Sequence, residues 1–461
     1  MDLGLLTTIV AAAALHQIWP AAMPSGPSAS LLFFVLSGWA VQIPFRAELS
    51  SAPANPYPSS RSNLHSRDAI PFSNLYDVDY VANILVDGQS FEVQLDTGSS
   101  DLWIDTTDVT FSSETTDTHF TAGIRYLDGT VATGDILLSS VSLGQYMVHN
   151  QSFISAPGSN ATFLSDKGIL GIGPPSLSVL FNNLDGSPYD GTPFMNNVFQ
   201  TYQNESSFYT FLLSRSEVGI TDGGIFTIGE LGSHNESISQ APKLSLLVDK
   251  IWMIAVDGAI INGQSITGNG IPPKLQSVIP PSGKLTAVFD TGTGAALAPP
   301  YYVDAMYKDI PGAQYSPDDQ FYYVPCDSKV NVSVVVGTNE YPVHPIDTTV
   351  FYNFDDDGLP VCIGAWRYST DSGQDFLLGD SFLRNVYSVF NFGSLARAED
   401  GAPYLQILSV TNADQAWAEY DSLNAERIAS ARSSGASTPR VGALLLPTVM
   451  ALFCTVTLLV T

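Results

Sequence analysis

Basic residues are scarce in this chain: 18 Lys and Arg stand against 45 Asp and Glu among 461 residues, a formal net charge of -27. Such a surface repels nucleic acid and gives no electrostatic reason to bind anionic lipid, which argues against a DNA or RNA partner. The acidity suits solubility at neutral pH and work in acid alike, because protonating carboxylates relieves their mutual repulsion. Histidine is thin as well. The six residues His16, His65, His119, His149, His234 and His344 are dispersed and form no HExxH pair, so no metal and no cofactor are expected. No GxSxG elbow occurs, which removes the usual frame for a serine nucleophile. Cysteine numbers three, with Cys454 inside an apolar C-terminal run, and Cys326 to Cys362 is the simplest disulfide. Long Ser/Thr-rich repeats are missing, against a wall-attached structural glycoprotein.

Hydrophobic residues make up 45% of the chain, enough for a sizeable core and for two or three folding units. Between about residues 75 and 410, short runs of Val, Ile, Thr, Phe and Tyr are broken by Gly, Pro, Asn and Asp, the pattern of a mostly β protein. Residues 80–86 alternate, Asp87-Gly88 signals a turn, and residues 91–95 follow as the second strand of a hairpin. Helices are expected to be few and short, one of them around residues 303–308.

The ends read as processing signals. Residues 31–43 have the length of a signal h-region, an earlier apolar stretch at 3–15 competes with it, and Met23 between them is an alternative start. Pro and Ser crowd residues 51–60, which marks a flexible leader. Residues 441–461 are almost wholly apolar and follow a small and polar stretch at 430–440, the form of a glycolipid-anchor signal, with a transmembrane tail as the alternative. Five sequons, at Asn150, Asn160, Asn204, Asn235 and Asn331, suit a glycoprotein of the secretory pathway, at the cell surface or outside it. The expected organisation is therefore 1–43 signal or leader, 44–75 short pro-segment or linker, 76–240 and 241–412 two β lobes, 413–440 polar linker and 441–461 anchor signal.

An internal repeat carries the chemistry. Leu95-Asp96-Thr97-Gly98-Ser99 returns as Phe289-Asp290-Thr291-Gly292-Thr293, and each copy is followed by an apolar pair and Gly, at Ile169-Leu170-Gly171 and Leu377-Leu378-Gly379. The same two motifs in the same order imply duplicated lobes. An Asp at a buried strand end needs hydrogen bonds to hold its charge; Gly98 and Gly292 let amides approach it, and the Ser99 and Thr293 hydroxyls can donate to it. If the lobes meet symmetrically, Asp96 and Asp290 share a site in which both cannot easily ionise, and one proton is held between them.

These motifs resemble the pepsin-like aspartic proteases, in particular fungal, glycolipid-anchored, yapsin-like members, over roughly residues 75 to 410. Asp96 to Trp103 is similar to the family's first active-site signature, and Leu377 to Arg384 followed by Tyr387-Ser388-Val389-Phe390 looks like its closing strand pattern. The resemblance implies a bilobal fold with a cleft between two similar β lobes, and a monomer. It implies a flap hairpin at residues 124–130, with Tyr126 bonded to Trp103 and with Asp128 and Gly129 facing substrate. It implies peptide or protein substrates, pepstatin-type inhibitors and the second-lobe disulfide Cys326 to Cys362. Hydrolysis would run through a water between Asp96 and Asp290 with no covalent intermediate. Gly294 and Leu127 depart from the family pattern, the latter stiffening the flap. By likeness to fungal relatives with Asp at this position, Asp128 implies tolerance for a basic residue before the cleaved bond. The alternative is a catalytically silent binding protein of the same fold, although the residues such relatives lose are all present.

Overall fold

The computed structural model describes residues 69–75, 79–126, 129–162, 166–215, 220–232, 235–370 and 373–435. The two candidate signal segments, the leader at 51–60, the anchor tail at 441–461, Leu127 and Asp128 lie outside the described residues.

The molecule is mostly β. Its first half supplies β1 (Phe72–Leu75), β2 (Asp79–Val86), β3 (Gln89–Asp96), β4 (Leu102–Ile104), β5 (Thr116–Arg125), β6 (Val131–Leu143), β7 (Tyr146–Ser155) and β8 (Gly168–Gly171). With Ile220–Asp222 these form a nine-stranded sheet in the order Ile220–Asp222, β1, β2, β3, β8, β4, β7, β6, β5. The β2–β3 hairpin turns at Asp87 and Gly88, whose positive φ of 53° and 74° is the pairing a two-residue hairpin loop needs.

The second half builds a five-stranded sheet in the order Met253–Val256, Leu285–Phe289, Phe376–Leu378, Ala296–Ala298, Trp366–Tyr368, flanked by two four-stranded sheets. The repeat in the sequence is a repeat in topology. β3 runs parallel to β8 while β4 runs antiparallel to it. Leu285–Phe289 is likewise parallel, and Ala296–Ala298 antiparallel, to Phe376–Leu378. In each half the Asp-Thr-Gly loop leaves one strand and crosses to the far side of a third, which carries the apolar-pair-Gly motif.

A further sheet belongs to both halves, in the order Gly224–Ile228, Phe208–Leu213, Val386–Asn391, Tyr404–Ser409, Leu244–Ser245. Its inner face is aromatic: Tyr209 stacks on Phe390 at 5.1 Å, Phe211 on Phe226 at 4.6 Å, and Trp252 meets Phe390 edge-on at 5.3 Å. The lobes therefore interleave, and no single cut in the chain separates them.

Two stretches differ from expectation. The end of the segment read as pro-segment or linker, 44–75, is part of the folded body: Ile70 and Phe72 are buried, Ile70 N donates to Phe226 O at 3.0 Å, and β1 pairs on both edges. The stretch read as a polar linker begins as the 23-residue helix Ala413–Gly435. It forms because one stripe can be buried: Ala416, Tyr420, Asn424 and Arg427 face the second half. Tyr420 donates to Ser328 O at 2.6 Å and Cys326 O at 3.2 Å, and Arg427 Nη1 donates to Thr349 O at 2.9 Å. The helix expected near 303–308 spans Pro300–Tyr307. Cys326 and Cys362 are disulfide-bonded.

An ion cluster fastens the halves away from the site. Asp347, buried, accepts from Arg215 Nε at 3.0 Å, from Arg384 Nε at 2.9 Å and from Asn385 Nδ2 at 2.9 Å. Burial alone would raise this carboxyl, but the Arg215 and Arg384 charges overcome it and hold the group far below the ordinary carboxylate range.

Candidate active site

β3 and Leu285–Phe289 end on Asp96 and at Asp290, so the two apolar strands drive both carboxyls into the middle of the molecule, where each is wholly buried. The backbone then turns so that its own amides serve the side chain. Gly98 N donates to Asp96 Oδ1 at 2.7 Å, and Gly292 N donates to Asp290 Oδ1 at 2.9 Å. The outer oxygens accept hydroxyls: Ser99 Oγ donates to Asp96 Oδ2, and Thr293 Oγ1 to Asp290 Oδ2 at 3.0 Å.

The two loops touch across a local two-fold. A Cβ placed on Gly98 would stand 2.5 to 2.7 Å from the carboxyl atoms of Asp290, and one placed on Gly292 would collide with Asp96 Oδ1. Glycine is thus required at both positions by the opposite carboxyl rather than by backbone conformation. Burial raises both acids above the ordinary range, and the Asp96 charge raises Asp290 further. The pair therefore gives up its second proton with difficulty and is suited to holding one between them.

Thr97 and Thr291 supply a feature the sequence did not reveal. Thr97 N donates to Thr291 Oγ1 at 3.1 Å and Thr291 N to Thr97 Oγ1 at 3.0 Å. Each hydroxyl in turn donates across the two-fold, Thr97 to Phe289 O at 3.0 Å and Thr291 to Leu95 O at 2.7 Å. Four buried hydrogen bonds thus tie one loop to the other at the level of the carboxyls. Equivalent hydroxyls in equivalent loops were the available signal.

The hairpin of β5 and β6 stands at residues 116–143, and its tip is closed by Tyr126 N donating to Thr130 O at 3.0 Å and Gly129 N to Tyr126 O at 2.9 Å. Trp103 Nε1, in β4, donates to Tyr126 OH at 2.5 Å, and both rings are buried. Just behind the tip, where Arg125 pairs with Val131, Val131 N donates to Asn160 Oδ1 at 2.9 Å and Ser159 Oγ to Val131 O at 3.0 Å. Asn150, Asn160, Asn204 and Asn331 are exposed, and Asn235 begins the short helix Asn235–Ile238. Gly294 O accepts from Ser381 N at 3.2 Å, so this position serves the loop that follows Leu377-Leu378-Gly379. Among the described residues no three His, Cys, Asp or Glu side chains gather as metal ligands, and no helix is long and apolar enough to cross a membrane.

The family model described as "Eukaryotic aspartyl protease" matches residues 79–396. An "Aspartic protease" of Phaffia rhodozyma is 28% identical over 73% of this chain and 80% of its own length. "Aspergillopepsin-1" of Aspergillus clavatus is 26% identical over 68% of this chain and 76% of its own. A "Probable aspartic-type endopeptidase CTSD" of Trichophyton verrucosum is 29% identical, covering 69% of this chain and 60% of its own length.

Proposed function

Since the chain belongs to the eukaryotic aspartyl protease family, we propose that it is an endopeptidase that hydrolyses peptide bonds in proteins at acidic pH with Asp96 and Asp290 as its catalytic pair. The observation that carries the reading is the reach of each carboxyl to the other motif's glycine, which brings both acids to one point. In the reaction, the ionised member takes a proton from a water lying between them as that water attacks the scissile carbonyl. The protonated member donates to the carbonyl oxygen, giving a neutral tetrahedral diol. Collapse returns a proton to the leaving amine and regenerates the singly protonated pair. No bond to the enzyme forms.

The loops stiffen this arrangement. The Gly98 and Gly292 amides and the Ser99 and Thr293 hydroxyls aim the carboxyls, and the Thr97–Thr291 exchange stops the loops from sliding apart. Tyr126, held by Trp103, fixes the hairpin that closes over the peptide and excludes water. Delivery through the secretory pathway, glycans on the exposed sequons and a C-terminal glycolipid anchor complete the proposal, with release from cells by a phosphatidylinositol phospholipase as the check on the anchor.

The decisive assay is cleavage of a protein substrate across about pH 3 to 7, with and without pepstatin, for the wild type and for Asp96→Asn and Asp290→Asn. Activity confined to acid, blocked by the inhibitor and lowered at least about 10²-fold in either variant is expected. Neutral activity indifferent to both substitutions refutes the mechanism.

A further inference from the structure

The β2–β3 ladder carries a second carboxyl that the dyad chemistry does not use. Val81 lies opposite Gln94 in this antiparallel pair, so two residues further along Asp79 comes opposite Asp96. Because side chains alternate, Asp79, Gln94 and Asp96 share one face. Asp79 is wholly buried. Neither of its carboxyl oxygens is in hydrogen-bond geometry with a partner among the described residues, although the Gln94 and Tyr80 amides lie near it, and no Lys, Arg or His there pairs with it. Gln94 Oε1 is buried and equally without a donor, while Gln94 Nε2 donates to Gly292 O at 3.4 Å. Gly292 N in turn holds Asp290.

Two orphan acceptors on one face are reconciled if Asp79 carries a proton and gives it in a hydrogen bond to Gln94 Oε1. That bond orients the amide with Nε2 toward Gly292. Ionised Asp79 reverses the preference: the amide turns Nε2 to the new carboxylate, and Gly292 O is left facing Oε1. We propose that Asp79 and Gln94 are positioning residues for the second catalytic loop, protonated Asp79 locking the amide that steadies Gly292 and loss of that proton releasing the loop.

The surroundings favour the proton. Burial chiefly, then the charges of Glu92 and Asp96 on β3, push the Asp79 carboxyl up to about 7, against the pull of Gln94 and the Tyr80 amide. On the other edge of β2, β1 holds no titratable residue. The folded chain thus keeps this proton to about pH 7, whereas an ordinary carboxyl releases it near 3.8. Its contribution to stability falls as pH rises between those two values and levels off above them.

The rate readout rests on the proteolytic reading above; the stability readout does not. The experiment compares the full chain with Asp79→Asn, Gln94→Met and the double variant, measuring kcat and KM against pH and, without substrate, the thermal midpoint against pH. The amide introduced by Asp79→Asn offers its Nδ2 to Gln94 Oε1 at every pH, so acid kcat stays within about threefold. The neutral limb of kcat moves up by roughly one pH unit, and the wild-type fall in thermal midpoint between acid and neutral flattens. Gln94→Met lowers kcat about tenfold with KM within about twofold, and Asp79→Asn adds nothing further to kcat in that background. Parallel thermal curves, an unmoved neutral limb or additive effects on kcat overturn the proposal. If Asp79→Asn does not fold, Gln94→Met decides alone, and a kcat equal to wild type across the range overturns it. A wild type that cleaves nothing refutes the proteolytic reading, while the thermal curves still judge this one.

Discussion

Replacing Gly98 with alanine adds one methyl group at the most crowded point of the molecule. Its Cβ would lie 2.5 Å from Asp290 Oδ1, 2.6 Å from Cγ and 2.7 Å from Oδ2. An ordinary contact of about 3.5 Å therefore requires the loop and the opposite carboxyl to part by roughly 1 Å. The carboxyl cannot swing freely, because Gly292 N and Thr293 Oγ1 hold it on the far side. A displacement of that size between reacting groups costs about 10²-fold in kcat, and the overpacking costs about 1–3 kcal/mol of stability. Steady-state cleavage of a peptide measures the first and thermal unfolding the second. Gly88→Ala is the control: φ there is +74° with nothing within 4 Å, so it costs about 1 kcal/mol of backbone strain and leaves the rate alone. A Gly98→Ala enzyme with kcat within about threefold of wild type refutes the close approach of the Asp290 carboxyl to the first loop.

Asp347→Asn removes the charge that faces half-buried Arg215 and buried Arg384 and is expected to cost about 3–5 kcal/mol at neutral pH. Because the folded-state pKa is depressed, that stability is fully present above the ordinary carboxyl value near 3.8 and is lost only as pH falls toward the lower folded value. Denaturant titrations of both proteins should show a constant gap above about pH 5 that narrows in stronger acid; a gap that widens there contradicts the ion cluster. Tyr126→Phe strips the buried Trp103 N–H of its acceptor, for about 1–3 kcal/mol of stability and roughly a tenfold fall in kcat/KM. An unchanged kcat/KM would detach the hairpin from the chemistry.

The repeated Asp-Thr-Gly loops, the Asp87-Gly88 hairpin and the mostly β class were legible because their signals are local: a turn dipeptide, alternation and a motif seen twice. The Thr97–Thr291 exchange was half visible, since the residues were singled out but their cross-loop bonds join positions 194 apart. Arg215 and Asp347, 132 residues apart, left no trace in the sequence for the same reason. Gln94 did leave one, as an amide flanked by Val93 and Leu95 two residues before Asp96. The helix Ala413–Gly435 was hidden by composition rather than distance. Its small and polar residues read as a linker, yet Ala416, Tyr420, Asn424 and Arg427 recur at helical spacing, and Asn412 Oδ1 accepts from Gln415 N at 3.0 Å as a cap.

The sheet woven from both halves bears on how a polypeptide gains entry. Phe208–Leu213 and Val386–Asn391 are zipped edge to edge, so parting the lobes like a clam would break main-chain ladders and an aromatic layer together. Admission is left to the β5–β6 arm, which is held just behind its tip, at Val131, by two side chains of an exposed turn. The scissors stay shut at the pivot, and the latch alone opens.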